Sequence, residues 1–257
     1  MSGTDAGVVV VIPAYNEALR IRAVATEALA ACPRVIVVDD GSTDGTAAEL
    51  AGLPLTLLGH AHRRGKGEAL RTGFRAALAA GAELVATMDG DGQHSAADLP
   101  RLLAAARAHP GHIVIGARLR QRRQAPLHRR LANGFGDWGI AWACGYRLLD
   151  SQSGQRVYPA DVAALADVAG EGFVFEADLL IQAARRLGSR CVAVPVETRY
   201  DQGFRKSHFR PLSDLARITS HVVRRVLERG QVLRRYAEAR RNPPLVHDVP
   251  ARSGRGA

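Results

Sequence analysis

The sequence predicts an α/β protein, with a three-layer αβα sandwich built around a mostly parallel central sheet. Three observations lead to this class. Short apolar runs alternate with stretches of helical periodicity, the connections between them are short, and several runs end in polar, glycine-rich loops. Such alternation is typical of parallel sheets with right-handed crossover connections. The 257 residues, of which 47% are hydrophobic, are enough for one large domain with its own core.

The first half of the chain supplies a regular series of strands and helices. Short runs rich in β-branched residues favour buried strands. We predict strands at Val8–Ile12, Val35–Val38, Leu53–Leu58, 83–88 and His112–Ile115. We predict helices that end near Ala31, that run from Gly65 to Ala80 and from Ala96 to Ala108, and a short one after the loop at 39–46. In the first helix, Leu19, Ala23 and Ala30 are expected on the buried face.

The second half of the chain is less regular and more basic. Six arginines lie between residues 118 and 130. The pattern then predicts a helix at Leu127–Cys144, a polar loop at 150–156, a helix from Phe173 to about Leu187 and a strand at Cys191–Val196. A basic loop at 200–210 precedes a long helix from Leu212 to about Arg240. Residues 242–257 are rich in proline, glycine and arginine, which predicts a disordered tail.

An acidic turn follows the predicted strand at 83–88 and indicates a ligand site. Asp89 and Asp91 stand one residue apart among glycines that let the backbone turn sharply. The carboxyl end of a parallel strand is where open α/β sheets bind ligands. Two carboxylates and the amide oxygen of Gln93 suit Mg²⁺ or Mn²⁺ bound to substrate phosphates, and His94 is either a further ligand or a turn residue. A solvated Asp-Gly turn is the alternative, whereas an EF-hand is excluded because its twelfth position would be Pro100.

Composition and charge limit the partners and the cellular location. Cys32, Cys144 and Cys191 are far apart, which argues against a zinc motif or a disulfide framework and fits a reducing compartment. No apolar run approaches the ~20 residues of a membrane-spanning helix, and the N-terminus lacks the features of a signal peptide, so we expect a cytoplasmic protein. The net charge is +10, and residues 201–257 contain 13 Lys and Arg against 5 Asp and Glu. This basic end predicts an anionic partner such as a membrane surface, a nucleic acid or a phosphate-rich substrate.

Two common nucleotide-binding motifs are absent. The segment Gly59–Lys66 is not a P-loop, because five residues separate its glycines and Gly67 stands where Ser or Thr is needed. No GxGxxG sequence follows the first strand, so the dinucleotide-binding fingerprint is missing. No nucleic-acid-binding motif accompanies the basic residues either. A non-enzymatic nucleic-acid-binding protein is therefore the remote alternative, supported by charge alone.

Three polar loops carry a resemblance to a known family. Their sequences are VIPAYNE at 11–17, VDDGSTDGT at 38–46 and MDGDGQH at 88–94. Together they resemble the family-2 glycosyltransferases of the GT-A fold, with strong motifs over about residues 8–120 and weaker ones to about 220. Further motifs are similar to those of the polyprenyl-phosphate sugar synthases: Gly65-Lys66-Gly67, Asp150-x-x-Ser153-Gly154, Phe175-Glu176 and Ser207–Pro211. Gln155 and His208 depart from that pattern, because those enzymes usually have Phe and often Lys there.

The resemblance implies a role for each matching position. A UDP- or GDP-sugar donor would be bound by Pro13, Ala14, Tyr15, Glu17, Asp39, Asp40, Lys66, Asp89 and Arg118. The metal, Mg²⁺ or Mn²⁺, would be held by Asp89, Asp91 and Gln93. The acceptor or its phosphate would be bound by Ser153, Arg156, Arg205 and Arg210. We expect one catalytic domain at 1–210, with a nucleotide-sugar-binding half at 8–120 and an acceptor half at 121–210, and then an amphipathic helix at 211–241.

The chemistry of sugar transfer indicates two catalytic residues, Asp91 and Asp150. The departing diphosphate gains negative charge, which a divalent ion at Asp91 and flanking cations stabilise. A lipid phosphate is already an anion and needs orientation, whereas an acceptor hydroxyl needs a general base. Asp150 is the candidate for either task, and a turn or capping residue is its alternative role. Arg156 binds phosphate or pairs with a carboxylate, and Glu176 is also a residue favoured at a helix N-terminus.

The last predicted helix has an aliphatic face and basic faces. Its apolar residues recur at helical spacing: Leu215, Ile218, Val222, Val226 and Leu233. Arginines occupy the other faces, a pattern that predicts peripheral attachment to anionic lipid at the inner face of the cell membrane. The alternative is a helix docked on its own domain, and Trp138 and Trp142 likewise pack in the core or contact the membrane.

From the motifs and the chemistry together, we expect inverting hexosyl transfer to a polyprenyl phosphate, with transfer to a hydroxyl of a saccharide or a hydrophobic small molecule as the alternative.

Overall fold

A computed structural model shows one eight-stranded sheet between two layers of helices. The structure describes residues 7–119, 127–168, 173–197, 220–227 and 232–248. The strands are β1 (Val8–Ala14), β2 (Val35–Asp39), β3 (Thr56–Gly59), β4 (Leu84–Thr87), β5 (Ile113–Ala117), β6 (Arg156–Pro159), β7 (Cys191–Pro195) and β8 (Leu245–Val246). The helices are α1 (Ile21–Ala31), α2 (Thr46–Glu49), α3 (Lys66–Ala79), α4 (Leu99–Ala108), α5 (Leu127–Cys144), α6 (Ala160–Ala163), α7 (Phe173–Arg186), α8 (220–227) and α9 (Val232–Arg241). Two 3₁₀ turns, Ala96–Asp98 and Ala164–Asp167, complete the elements.

The sheet is mostly parallel, as the sequence predicts. Its strand order is β3-β2-β1-β4-β6-β5-β7-β8, and β6 alone runs antiparallel to its neighbours β4 and β5. Alternate residues of β1 face opposite layers, because Val9 and Val11 belong to one core cluster and Val8 and Val10 to the other. Helices α3, α5 and α7 cover the first face, while α1 and α4 cover the second. The predicted three-layer αβα sandwich is confirmed.

The predicted buried face of α1 is wrong. Leu19 is 95% exposed, and Ala23 and Ala30 are exposed as well. The helix begins at Ile21, and its buried residues are Ile21, Val24, Ala25 and Ala28. This set follows helical spacing from Ile21, whereas the prediction counted the period from Leu19, which lies before the helix.

The central strand β6 is an element that the sequence analysis missed. Arg156–Pro159 was assigned partly to a polar loop, but it pairs with β4 through Thr87↔Arg156 and with β5 through Ile115↔Arg156. Val157 and Tyr158 are buried, and the Arg156 side chain is only 1% exposed. A strand of four residues that starts with arginine gives no periodic signal, so the sequence pattern could not reveal it.

The C-terminal segment is docked on the domain where the structure describes it. Trp142 Nε1 donates a hydrogen bond to the Val232 carbonyl at 2.9 Å, which attaches α9 to α5. Val222 is buried and Val226 packs against the core, so these two residues of the predicted aliphatic face contact the protein. The predicted disorder of residues 242–257 is wrong for Leu245–Val246, which forms β8 beside β7. The described residues do not include 212–219 and 228–231 of the predicted long helix. They also do not include the predicted end of the catalytic domain at residue 210.

Asp178 holds α8 against α7. Its buried carboxylate accepts hydrogen bonds from His221 Nε2 at 2.9 Å and from Arg225 Nε at 2.7 Å. Burial acts to raise the pKa of Asp178, but these hydrogen bonds dominate and hold it below its usual value of 3.8. An acid with a lowered folded pKa stabilises the fold above its unfolded pKa, and this contribution is lost as pH falls through the folded pKa.

Asp178→Asn is expected to lower the free energy of unfolding by about 2–3 kcal/mol at pH 7, because Arg225 loses a buried anionic partner. The difference from wild type should begin to shrink as pH falls below about 4 and should disappear below the lowered pKa of Asp178, where the folded wild-type carboxyl is protonated too. Urea denaturation at both pH values measures it. Asp167→Asn is the matched control, since Asp167 forms an exposed ion pair with Arg75 and should change stability by less than about 1 kcal/mol. Equal effects of the two substitutions would contradict the prediction.

Candidate active site

The three polar loops meet at one edge of the sheet. Strands β2, β1 and β4 are neighbours and parallel, so their carboxyl ends lie side by side. The loops that follow them contain residues 15–17, 40–46 and 88–94, and these are the motifs singled out in the sequence. Two chain segments from the other half of the protein, the 150–156 loop and the start of α7, complete this edge. The loops that carry the sequence motifs therefore lie together in space.

The loops after β1 and β2 are joined by reciprocal hydrogen bonds. Asn16 N donates to Ser42 Oγ at 2.8 Å, and Thr43 N donates to Asn16 Oδ1 at 2.8 Å. Glu17 N donates to Thr46 Oγ1 at 2.9 Å. Asn16 has a φ of 56°, a conformation that asparagine tolerates better than most residues. The two loops thus form one rigid wall of the site.

The residues predicted to bind the nucleotide-sugar occupy different depths of this wall. Pro13 and Ala14 are buried in β1, opposite Val38 and Asp39 of β2. Tyr15 and Glu17 are half-buried at the rim. The guanidinium of Arg63 lies 4.4 Å from the centre of the Tyr15 ring, a cation–π distance.

Asp39 and Asp40 face the protein rather than open space. Asp40 Oδ1 accepts a hydrogen bond from Arg64 N at 2.9 Å, and its Oδ2 accepts one from Gly65 N at 2.7 Å. His60 Nδ1 lies 2.7 Å from Asp40 Oδ1. Asp39 Oδ1 accepts a hydrogen bond from Ser42 N at 3.0 Å. Asp40 therefore fixes the loop that leads into Lys66, and Asp39 fixes its own turn, while their nucleotide contacts stay predictions.

Lys66 lies at the centre of a charged cluster. Its Nζ is 2.8 Å from Asp89 Oδ1 and 3.2 Å from Glu176 Oε2. Burial acts to lower the pKa of Lys66, but the two carboxylates outweigh it and raise the pKa above 10.5. Burial likewise acts to raise the pKa of Asp89, while Lys66 and His94 lower it below 3.8. Both groups are therefore charged at neutral pH.

The pKa of Asp91 is shifted in the opposite direction from that of Asp89. Burial and the neighbouring charge of Asp89 raise the pKa of Asp91 above 3.8. Asp91 Oδ1 accepts a hydrogen bond from Gln93 N at 3.0 Å. Burial lowers the pKa of the adjacent His94 to about 4, and its Nδ1 lacks a hydrogen-bond partner among the described residues.

This donor set fits a divalent cation. Two adjacent carboxylates that repel each other are stabilised by a positive ion, and their oxygens are the donors that Mg²⁺ and Mn²⁺ prefer. In the part of the chain that the structure describes, no group of three or more His, Cys, Asp or Glu side chains could hold a metal. An ion at Asp91 would therefore complete its shell with substrate phosphates, which is how Mg²⁺ commonly binds.

The 150–156 loop packs directly on the acidic turn. Thr87 Oγ1 donates to the Gly154 carbonyl at 2.9 Å. A Cβ atom added at Gly154 would lie 2.0 Å from Asp89 Oδ2, so only glycine leaves room for this carboxylate. The missed strand β6 explains the contact, because it places the loop beside the end of β4.

Arg118 and Asp150 form a bidentate ion pair beside this loop. Arg118 Nε and Nη2 donate to the two Asp150 carboxylate oxygens at 2.8 and 2.7 Å, and Arg118 N donates at 2.9 Å. Asp150 is buried and has a φ of 52°, which marks a strained turn position. These three hydrogen bonds fix the position of the Arg118 guanidinium relative to the Asp150 carboxylate.

Ser153 and Arg156 differ from their predicted role in acceptor or phosphate binding. Arg156 is buried and donates to the carbonyls of Ser153 and Ser151 at 2.7 and 2.6 Å and to Tyr158 Oη at 3.1 Å. Its Nη2 also lies 3.5 Å from Glu176 Oε1. Ser153 is fully buried, and its N donates to the Asp150 carbonyl. Both residues hold the loop in place, which agrees with the carboxylate-pairing alternative for Arg156.

Comparison with known proteins decides the family. Residues 9–152 match the model described as glycosyl transferase family 2. An undecaprenyl-phosphate mannosyltransferase from Micrococcus luteus is 33% identical over 204 residues, which cover 74% of this chain and 82% of that protein. The chain belongs to glycosyl transferase family 2.

Other relatives of this glycosyltransferase agree in sequence and in fold. A polyprenol monophosphomannose synthase from Mycolicibacterium smegmatis is 31% identical over 73% of this chain and 75% of that protein. Mannosyl-3-phosphoglycerate synthase from Rubrobacter xylanophilus superposes with a TM-score of 0.62 at 20% identity, over 97% of this chain and 78% of that one. Glucosyl-3-phosphoglycerate synthase from Mycobacterium tuberculosis, solved with Mn²⁺ and UDP, gives a TM-score of 0.58 at 24% identity, over 86% and 79%. The fold of the family-2 enzyme is thus of the GT-A type.

Some residues of the glycosyltransferase site were found only in the structure. The sequence also allows Glu176 a role at the helix N-terminus, but in the structure it pairs with Lys66, which lies on another helix. His60 carried no motif, although it contacts both Asp40 and Thr72. The signal that the sequence offers is its position two residues after the predicted strand Leu53–Leu58. Arg205 and Arg210, predicted to bind phosphate, lie outside the described residues.

Gly154→Ala is expected to reduce sugar transfer by this glycosyltransferase about 100-fold. The added methyl group overlaps Asp89 Oδ2, so the carboxylate must leave its place beside Lys66. Initial rates with saturating donor measure the effect. Gly59→Ala is the matched control, because nothing lies within 4 Å of the Cβ position there. Full activity of Gly154→Ala would show that the position of Asp89 is not critical.

Proposed function

We propose that this enzyme transfers a hexose from a UDP- or GDP-sugar to a polyprenyl phosphate, with inversion, at the cytoplasmic face of the cell membrane. The observation that carries the proposal is the acceptor named for its relatives. The Micrococcus enzyme, the Mycolicibacterium enzyme and an Aeromonas hydrophila relative that is 33% identical over 62% of this chain are all named as acting on undecaprenyl phosphate or polyprenol. The charged cluster at the ends of β1, β2 and β4 is the proposed place of reaction.

The donor side of the site would hold the diphosphate of the nucleotide-sugar. A divalent ion bound there would neutralise the charge that develops on the leaving group. Asp91, Asp89 and Gln93 would hold that ion, and Lys66 keeps Asp89 ionised and in place from 2.8 Å. The wall formed by the loops after β1 and β2 would bind the nucleoside, with Tyr15 and Glu17 at its rim.

The acceptor side fits an anionic nucleophile. A phosphate oxygen attacks without losing a proton, so the site must orient it and screen its charge rather than supply a base. Arg118 lies at the end of β5 and is oriented by Asp150, whose carboxylate it binds in bidentate fashion. Asp150 would act as a positioning residue in this scheme. An attacking hydroxyl would need a free carboxylate as base, which this arrangement does not favour.

Metal-dependent release of nucleoside diphosphate tests the proposal. UDP- and GDP-hexoses would be offered with a short-chain polyprenyl phosphate, with 3-phosphoglycerate as an alternative acceptor, or with neither. We expect release that needs Mg²⁺ or Mn²⁺ and is stimulated by the polyprenyl phosphate. Stimulation by the hydroxyl acceptor alone would replace the acceptor class. Failure of every nucleotide-sugar to bind would contradict the proposed donor class.

A further inference from the structure

Four aromatic rings form a continuous row on the surface of α5 and α9. The ring centres of Phe135 and Trp138 are 5.8 Å apart, those of Trp138 and Trp142 are 5.2 Å apart, and those of Trp142 and Tyr236 are 5.5 Å apart. We call these four residues the aromatic row. Phe135 is 50% exposed and Trp138 is 46% exposed, although both are large and apolar. Neither residue contributes to the charged cluster of the active site.

Exposed aliphatic side chains occur on α8, which packs against α5, and on α9. Val222 of α8 lies against α5, since a Cβ atom at Gly139 would be 3.4 Å from Val222 Cγ1. Val223 and Leu227 of α8 and Leu233 of α9 are nevertheless exposed. In the described part of the chain, ten large hydrophobic side chains are exposed, and six of them belong to α5, α8 and α9. Such a concentration marks an interaction surface rather than scattered surface residues.

The aromatic row shares its helix with residues that support the active site. Asp137, next to Trp138, accepts hydrogen bonds from Ser151 N at 2.9 Å and Ser151 Oγ at 2.6 Å. A Cβ atom at Gly136 would lie 3.1 Å from Gln152 Nε2. One side of α5 therefore holds the 150–156 loop, and the other side presents the aromatic row. A partner bound to the row would lie across α5 from the 150–156 loop.

We infer that the aromatic row, together with the exposed aliphatic side chains of α8 and α9, is the surface by which this enzyme sits in the interfacial region of an anionic lipid bilayer. Tryptophan and tyrosine favour that region because their rings are apolar and their polar atoms reach water. Of the six arginines in the described residues of α8 and α9, Arg225 is bound by Asp178, while Arg224, Arg234, Arg240 and Arg241 are exposed, and these two helices contain one acidic residue, Glu238. This charge attracts anionic headgroups. The inference rests on the proposed function, in which the acceptor is a lipid.

The charge also argues against a second copy of the chain as the occupant. A two-fold contact would place the same surface of both copies face to face. The arginines of α8 and α9 would then approach those of the partner, at a cost in electrostatic energy. In the described residues no helix is long and apolar enough to cross a bilayer.

The tryptophans allow a direct test, because the chain has two and both belong to the aromatic row. Intrinsic fluorescence would be recorded with vesicles of phosphatidylcholine alone and of phosphatidylcholine mixed with phosphatidylglycerol. With the mixed vesicles we expect a blue shift, and quenching by lipids brominated in their acyl chains. The variant Phe135→Ser/Leu227→Ser/Leu233→Ser keeps both tryptophans and should lower the partition coefficient about 100-fold. The control Leu19→Ser/Leu57→Ser/Leu187→Ser changes three exposed leucines elsewhere and should bind like wild type.

Assays with two acceptors distinguish a failure of this inference from a failure of the proposed function. The first triple variant should transfer sugar normally to a water-soluble short-chain polyprenyl phosphate but slowly to a long-chain acceptor in vesicles. If the wild type transferred sugar to neither acceptor, the proposed function would be contradicted. Vesicle binding is measured without any substrate, so it tests the inference separately. The inference is overturned if wild-type fluorescence does not respond to anionic vesicles, or if both triple variants bind equally. It is also overturned if the wild type is a dimer that the first variant dissociates, because the row would then be a subunit contact.

Discussion

Asp91→Asn is expected to lower the rate of sugar transfer about 1000-fold while it raises the melting temperature of the ligand-free protein by about 2–4 °C. The two effects have one cause. Burial and the charge of Asp89 raise the pKa of Asp91. An acid whose folded pKa is raised destabilises the fold once pH exceeds its unfolded pKa, so the neutral amide relieves that cost at pH 7. The same amide removes a carboxylate from the expected cation site.

Melting curves with and without Mn²⁺ and nucleoside diphosphate measure both effects. The ligands should raise the melting temperature of the wild type and leave that of Asp91→Asn nearly unchanged. Asp98→Asn is the matched control, since Asp98 lies seven positions further along and pairs with Arg101 at 3.1 Å. It should keep wild-type activity and gain no stability. A variant at Asp91 that still responds to Mn²⁺ would show that the cation binds elsewhere.

The sequence was informative about the fold where periodicity was strong. Apolar runs and their spacing predict the strands that lead into the polar loops and the helices between them. They also predict that the sheet is mostly parallel. The antiparallel strand β6 does not, because its four residues include Arg156, a type that is rare in central strands. Arg156 is tolerated there since its guanidinium is bound by two carbonyls, a phenol and Glu176. Such compensation depends on tertiary contacts that no local pattern encodes.

In the candidate site, too, local sequence signals predict some features, whereas tertiary contacts determine the others. The position of Asp89 and Asp91 just after the end of a strand is predictable, because a glycine-rich turn after an apolar run is a local signal. The inward orientation of Asp40 was not accessible, since its donors come from the 60–65 loop. The Arg118–Asp150 pair joins residues on either side of α5, and spacing alone could not show that their side chains meet. Sequence thus located the residues, while the structure showed which of them bind each other.

Lys66→Met is expected to lower the free energy of unfolding by about 2–4 kcal/mol and to reduce sugar transfer. Lys66 is the cation between Asp89 and Glu176, and removing it leaves these carboxylates close together with Asp91. The loss should be smaller when Glu176→Gln is added, because one of the unpaired charges is then absent. Chemical denaturation of the wild type, both single variants and the double variant gives the coupling energy, which we expect to be about 1–2 kcal/mol.

A second cycle with Glu68→Gln provides the control for this coupling. Glu68 lies on the same helix as Lys66, but it pairs with Arg71 and Arg64 instead. Residues two positions apart on a helix do not face each other, so Lys66→Met and Glu68→Gln should be close to additive. Equal coupling in the two cycles would mean that Lys66 acts through the general charge of α3. Coupling confined to Glu176 would instead show that Lys66 joins α3 to α7 and, through Asp89, sets the acidic turn that is to hold the cation.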